Sequence, residues 1–407
     1  MTQDYTILRL GHHGDGIADG PIYAPRTLPG EVVTGVLEGD RLSDIRIKSP
    51  SSERVKAPCD HYKSCGGCQL QHASDEFVAR WKMDVVRAAL AAQHIEAILR
   101  PIQTSPVRSR RRAVLSARRT KKGALTGFHG RSSGTIVEIS DCHVLDPGLT
   151  NALPVAEAMA ELGGSRKAEL SVTLTLSEVG LDVAVRGGKA LDGPLELALA
   201  QETERHGLAR LTWNDEIIAM RQAPAQHLGP DLVVPPPGAF LQATKHGEQA
   251  LTQAVMEISK GAKKIADLFA GCGTFSFPLA HLAEVHAVEG DAAMTRALDQ
   301  GWRMSIGLKK ISTEVRDLFR RPLMADELKQ FDTVVLDPPR AGAIAQIAEV
   351  AVSKCPVVAY VSCNPISFAR DAKKLCAAGY TLEWIQVVDQ FRWSSHIELV
   401  AGFTLRR

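Results

Sequence analysis

Residues 263–275 read KKIADLFAGCGTF: an apolar strand, a turn with glycines at 271 and 273, then the start of a helix. A strand that runs directly into such a turn is the entry unit of a doubly wound α/β sheet. The missing Cβ atoms let the backbone close on a ligand beyond the carboxyl end of the strand. Three more apolar strands follow, EVHAVEG at 284–290, FDTVVLD at 331–337 and PVVAYVSC at 356–363, each leading into helical sequence. Apolar strands alternating with helices from about residue 235 imply a parallel sheet covered on both faces. The second strand ends in Glu289, sixteen residues after Gly273. A carboxylate there accepts hydrogen bonds from both ribose hydroxyls of a nucleotide cofactor. AGCGTF lacks the third glycine of GxGxxG, which argues against a dinucleotide. A doubly wound sheet built around another ligand is the alternative.

At 407 residues the chain is too long for one core. Three domains are expected: a small barrel over 1–54, a central α+β domain over 55–234 and the doubly wound sheet over 235–407. Within 1–50, YTILRL, GEVVTGVLEG and RLSDIRIK alternate as strands between glycine turns. Short strands with basic outer positions suit an OB-like barrel, a frequent nucleic-acid platform. A helix is expected over about 75–100. Ser74 or Asp75 would cap it, and Phe77, Trp81, Val85, Ala88 and Ala89 would share its apolar face.

No apolar run reaches the length of a membrane span. MTQDYTILRL lacks the basic and apolar segments of a signal peptide, so a cytoplasmic protein is expected. Its eight cysteines then read as thiols or metal ligands rather than disulfides. The net charge of +2 conceals a local concentration: in RSRRRAVLSARRTKK, residues 108–122, eight of fifteen side chains are Arg or Lys. Clustered positive charge is the footprint of phosphate binding, which points to Arg110, Arg111 and Arg112 as phosphate contacts. A solvated basic loop is the plainer reading. Ala113, Val114, Leu115 and Ala117 favour a basic strand instead.

Cys363 follows the apolar strand VVAYV and precedes Asn-Pro, at the end of the sheet where ligands bind. Amides at such a strand end stabilise a thiolate, so Cys363 is a candidate nucleophile. Cys272, Cys355 and Cys376 read as inert buried thiols. Near the C-terminus, VVDQFRWSSHIE supplies Glu398 as a candidate base, with His396 in support. Cys59, Cys65 and Cys68 in PCDHYKSCGGCQLQH, with Cys142 in ISDCHVLDP as the fourth, form a metal-ligand set. Their spacing divides evenly between zinc and an iron–sulfur cluster.

AGCGTF resembles motif I of class I S-adenosylmethionine-dependent methyltransferases. By that likeness, Asp317 in RDLF lies near the adenine and Asp337 in VVLDPPR beside the reacting group. Arg340 stands where amino-group methylases place an aromatic residue, which argues against nitrogen methylation. FLQ at 240–242, DLFAGCGTF, DPPR, VSCNP with ARD at 369–371, and HIE at 396–398 occur in the order of the RNA 5-methyluridine methyltransferase family, the RumA/TrmA type. The resemblance covers nearly the whole chain. It implies a Rossmann-like catalytic domain, an N-terminal TRAM barrel and a central domain carrying a 4Fe–4S cluster on Cys59, Cys65, Cys68 and Cys142. It implies S-adenosylmethionine bound by Gln242, Phe269, Thr274, Glu289, Asp317 and Asp337. Catalysis would fall to Cys363, which attacks uracil carbon 6, and to Glu398, which removes the carbon 5 proton. The cluster is expected to be structural, since methyl transfer needs no electron. Presence of both the TRAM barrel and the cluster cysteines implies a uridine of 23S ribosomal RNA as substrate, with tRNA as the alternative and no obligate protein partner. A non-catalytic RNA-binding or assembly factor is the other class of function, and cytosine methylation a further enzymatic one. Joint presence of Cys363, Glu398 and the cofactor loop favours a uracil-methylating enzyme. Thr244, Arg392 and Trp393 depart from the family pattern, a difference that bears on contacts with the target base and removes no reacting group.

Overall fold

A computed structural model describes residues 3–405. The outer limits of the expected domains, at 1 and 407, lie outside the described residues. The larger sheet has eight strands. Ile311–Val315, Glu284–Glu289, Lys264–Leu268, Thr333–Leu336 and Val357–Ser362 lie side by side, all parallel. Successive side chains of one strand enter opposite cores: Ala266, Leu268, Val334 and Leu336 on one face, Ile265 and Val335 on the other. Both faces are dry, so these strands are continuously apolar rather than alternating.

The sheet is mixed rather than purely parallel, which corrects the sequence expectation. Glu398–Leu405 runs antiparallel between Val357–Ser362 and Tyr380–Asp389. The loop at 390–397 is too short for a crossover, so the two strands it joins must be antiparallel neighbours. Leu99–Thr104 adds a last strand parallel to Tyr380–Asp389.

That edge strand also corrects the helix expected to reach residue 100. The helix is Asp75–Ala91, with the Ser74 side chain accepting from the Phe77 N–H. It ends where His94 takes a φ of 59° and the Ile95 N–H turns back to the Leu90 carbonyl. Its inner face is Val78, Trp81, Lys82, Val86 and Leu90, one position on from most of the expected stripe.

The N-terminal strands Asp4–Leu10, Gly16–Ala18, Ile22–Ala24, Val32–Glu38 and Arg41–Ser49 close into a barrel. The central region is a seven-stranded sheet that includes Arg112–Arg119, with helices Leu153–Gly163 and Gly193–Arg205 packed on it. The basic run is thus mainly a strand, with Ala113, Leu115 and Ala117 buried and Val114 outward. A small core unites Leu10 and Leu28 of the barrel, Leu70 and Ala73 beside the cysteines, and Val78 and Trp81 of the helix. Burial therefore contributes to the order of the cysteine segment. Among the described residues no helix is long and apolar enough to cross a membrane.

Candidate active site

Register aligns the carboxyl ends of the parallel strands. Leu268 pairs with Val288 and with Leu336, and Leu336 with Tyr360. Just beyond that row lie Phe269, Glu289, Asp337 and, past Val361 and Ser362, Cys363. The turn after Lys264–Leu268 is tightly built. Phe269 takes a φ of 63°, and its N–H donates to the Val288 carbonyl at 2.9 Å. Gly273 has a φ of 101°, and a Cβ there would meet the Phe277 ring at 2.6 Å. Only glycine serves at that position. Thr274 follows, half-buried.

The Gly271 N–H donates to Glu289 Oε2 at 2.9 Å, and the Asp291 N–H to Oε1 at 2.9 Å. Glu289 is thereby fixed at its strand end with lone pairs left for a ligand. Asp317 Oδ1 accepts the Phe319 N–H at 3.0 Å. The Phe319 ring, 47% exposed, leans on Phe269 at a centroid distance of 5.4 Å. These two rings offer an apolar flank for a flat heterocycle.

Negative charge is concentrated here. Burial pushes Asp267 up to about 7, against a hydrogen bond from Ser276 and with Glu289 adding to the rise. Asp267 Oδ1 is buried without a partner. Burial also holds Asp337 well above the ordinary carboxylate value, helped by Glu398, Asp267 and Glu289. Buried Asp267 and Asp337, with Glu289 and Glu398 within electrostatic reach, form a site for a cation. A ligand with a sulfonium and an ammonium group fits that donor set.

Ser362 pairs with Leu399 in the antiparallel register, so the next step outward brings Cys363 opposite Glu398. Burial pushes the Cys363 thiol up to about 11, with Glu398 and Asp337 adding to it, while Arg340 and the Cys363 N–H pull it down. Burial pushes Glu398 up to about 7 against a hydrogen bond from Gln390. A carboxylate that exchanges a proton near neutrality suits a general base. Gln390 is a hub that the sequence did not reveal. Its amide nitrogen donates to both Gln242 Oε1 and Glu398 Oε2, and its oxygen accepts the Ala243 N–H at 2.8 Å. His396 lies outside the last strand, with Nδ1 3.3 Å from Arg340 Nη1.

Three departures from the family pattern are structural in this fold. Thr244 Oγ1 caps helix Lys245–Ile258 by accepting the Gly247 N–H at 2.9 Å, and it lies 2.8 Å from Ser105 Oγ. Arg392 donates to the Ser105 carbonyl at 3.1 Å and pairs with Asp75. The Trp393 indole N–H donates to Asp75 at 3.0 Å. All three are engaged in hydrogen bonds within the chain.

The arginine triplet also points inward, which corrects its expected role in gripping RNA. Arg111 is buried, ion-paired with Glu248, and donates to the Gln242 carbonyl at 3.2 Å. Arg112 donates to the Gly238 carbonyl at 3.1 Å. Arg110 lies 5.9 Å from the Phe391 ring centroid and has no carboxylate partner among the described residues. The physical reason is local: these residues begin the strand that docks the central sheet onto FLQ. The exposed cations of the run are Arg119, Lys121 and Lys122.

The four candidate metal-ligating cysteines converge from distant segments. Burial raises the thiols of Cys59, Cys65 and Cys68, the last to about 12, and every pair among these and Cys142 lies within electrostatic reach. Among the described residues no three His, Cys, Asp or Glu side chains are arranged to hold a single metal ion. The Gly66 N–H donates to the His129 carbonyl at 2.9 Å, and a Cβ at Gly66 would meet that oxygen at 2.8 Å. The glycine lets the loop lie against the central sheet. Arg110, whose Nε donates to the Arg112 carbonyl at 3.0 Å, lies within electrostatic reach of this group: burial lowers its basicity, and Cys142 and Cys68 oppose that fall.

A model of the tRNA (uracil-5-)-methyltransferase family matches residues 236–407. An uncharacterized RNA methyltransferase of Mesorhizobium japonicum is 44% identical over 404 residues, 98% of each chain. The 23S rRNA (uracil(1939)-C(5))-methyltransferase of Shewanella halifaxensis is 33% identical over 98% of this chain and 95% of its own. Among solved structures, the tRNA (uracil-54, C5)-methyltransferase of Pyrococcus abyssi in complex with S-adenosyl-L-homocysteine shares the fold. The match has a TM-score of 0.78 at 24% identity and covers 98% of this chain and 99% of that one.

Proposed function

The chain belongs to the RNA (uracil-5-)-methyltransferase family, and we propose that it methylates carbon 5 of a uridine in 23S ribosomal RNA through a covalent adduct on Cys363. The observation that carries this reading is the antiparallel register that, continued one residue past Ser362–Leu399, brings Cys363 opposite Glu398, with Asp337 also within electrostatic reach. S-adenosylmethionine supplies an electrophilic methyl group there. Asp267 and Asp337 would face its positive charge, Glu289 would take the ribose and Phe269 and Phe319 would flank the adenine, with Gln242, Thr274 and Asp317 as further binding residues.

Uracil carbon 5 is a weak nucleophile. After the thiol proton is lost to solvent, the Cys363 thiolate adds to carbon 6 and pushes an electron pair toward carbon 5. Arg340 and the Cys363 N–H, which lower the thiol's pKa, stabilise that thiolate. Carbon 5 takes the methyl group. Glu398 then removes the carbon 5 proton, the double bond reforms, and the thiolate leaves. A ribosomal substrate is supported by the relative of known rRNA specificity, which aligns over nearly the whole chain.

Cys59, Cys65, Cys68 and Cys142 would hold a 4Fe–4S cluster, supported by the mutual reach of their four sulfurs and by Arg110 nearby, which has no carboxylate partner among the described residues. When bound, such a cluster supplies cross-linking and negative charge. The phosphate-binding role passes to Arg119, Lys121 and Lys122.

The test is nucleoside mass spectrometry on ribosomal and transfer RNA from cells with and without this protein. Loss of 5-methyluridine from 23S rRNA is expected. Loss from tRNA alone would overturn the substrate, and 5-methylcytidine the base. Full methylation by Cys363→Ala would remove the covalent route. Metal analysis of anaerobically purified protein should find about four irons. Stoichiometric zinc without iron would overturn the cluster.

A further inference from the structure

Loop 390–397 carries Gln390 and leads directly into Glu398, yet it is held largely from outside its own sheet. The main-chain N–H groups of Gln69 and Leu70 both donate to the Trp393 carbonyl, at 2.8 and 2.9 Å. The Gln69 side-chain oxygen accepts the Ser395 N–H at 3.2 Å. Its amide nitrogen donates to the Gly66 carbonyl at 2.9 Å, inside the turn between Cys65 and Cys68. From helix Asp75–Ala91, Lys82 Nζ donates to Asp389 at 2.6 Å and to the Phe391 carbonyl at 3.2 Å. Trp393 itself is buried and has a φ of 60°. A bulky residue stays in that conformation only where the surroundings over-determine it. Here those surroundings include the cysteine turn.

We propose that Gln69 is a positioning residue for the chemistry: it ties the cysteine turn to loop 390–397 and so sets Glu398 against the adduct. The inference rests on the covalent reading given above. In that sequence Cys363 adds and the methyl group transfers before Glu398 acts. Glu398 then takes the carbon 5 proton, the electron pair of that C–H bond forms the carbon 5–carbon 6 double bond, and the carbon 6–sulfur bond breaks. A displaced Glu398 slows only this last stage. The fingerprint of a slack loop is therefore a methylated enzyme–RNA adduct that survives denaturation, with S-adenosylmethionine affinity and metal content unchanged. A purely structural role would instead lower ligand affinity or metal content.

The experiment follows methyl-labelled S-adenosylmethionine into denaturant-stable enzyme–RNA adduct and into released RNA. Glu398→Gln is the control. Gln69→Leu should slow release about tenfold, the order expected for a modestly misplaced base, and accumulate adduct. Gln69→Glu keeps the oxygen that accepts from Ser395 but loses the amide that donates to Gly66, so it too should release more slowly than the wild type. If Glu398→Gln traps no adduct, the covalent reading fails. If Glu398→Gln traps adduct while Gln69→Leu releases at the wild-type rate, the positioning role is overturned. Should Gln69→Leu not fold, Gln69→Asn shortens the same reach by one methylene, and unchanged release there overturns the proposal equally.

Discussion

A single amide, Gln390, holds three groups at once: Gln242 of the FLQ segment, Glu398 and the main chain at Ala243. Nothing in VVDQF marks it, because its role depends on which residues the antiparallel pairing brings within reach. Cys363 and Glu289 were legible because strand ends and glycine turns have local signatures. Asp267 lay inside the quoted motif, but its significance comes from burial among other carboxyl groups. Those groups make a prediction. With Asp267 and Glu398 both raised to about 7, their stabilising contribution is fully present below the ordinary carboxylate range and is lost as pH rises through about 7. A cationic ligand offsets that loss, and its demethylated product, without the sulfonium charge, offsets less. Affinity for S-adenosylmethionine relative to S-adenosylhomocysteine should therefore rise between pH 6 and 8, by at most about tenfold per pH unit for each proton displaced. Calorimetric titration of both ligands across that range checks it, and a ratio independent of pH contradicts the charge argument.

Helix Asp75–Ala91 shows how an element can be found and still be misread. Its cap and its apolar periodicity were visible, but its inner face was displaced by one position. Lys82 sits at the centre of that face, fully buried, and hydropathy assigns lysine to solvent. Its ammonium is committed to Asp389 and the Phe391 carbonyl, at the start of the catalytic loop. Lys82→Met leaves Asp389 buried without its partner and should destabilise the protein by about 3–5 kcal/mol. Replacing both residues, as Lys82→Met with Asp389→Leu, should recover much of that loss, since two apolar groups of similar volume need no counter-charge. Denaturant unfolding of both variants reads the difference. Equal destabilisation by the single and double variants would mean that packing, not charge, dominates. Strand Leu99–Thr104 was missed for a related reason: its partner Tyr380–Asp389 lies far along the chain, and local sequence does not encode that pairing.

Across the whole molecule, the basic run divides into an inner and an outer part, and composition alone could not separate them. Strand alternation decides it: the start of Arg112–Arg119 is clamped against the FLQ segment, while its far end and the turn beyond reach solvent. Both parts look identical as charge, but they should respond differently to substitution. Phosphate contacts release counterions, about 0.7 per contact on single-stranded nucleic acid, so removing three should flatten the salt dependence of RNA affinity by about 2 in log–log slope. Arg119→Ala with Lys121→Ala and Lys122→Ala should do this while leaving thermal stability and S-adenosylmethionine affinity unchanged. Arg111→Ala, by contrast, leaves buried Glu248 with Lys245 as its one remaining ion-pair partner among the described residues and should lower stability before it touches the salt slope. RNA binding measured over a range of salt, beside thermal unfolding, separates the two. If Arg111→Ala changed the slope and the outer triple did not, the inner arginines would be the ones that meet phosphate, and the RNA path would have to run between the central sheet and the catalytic domain.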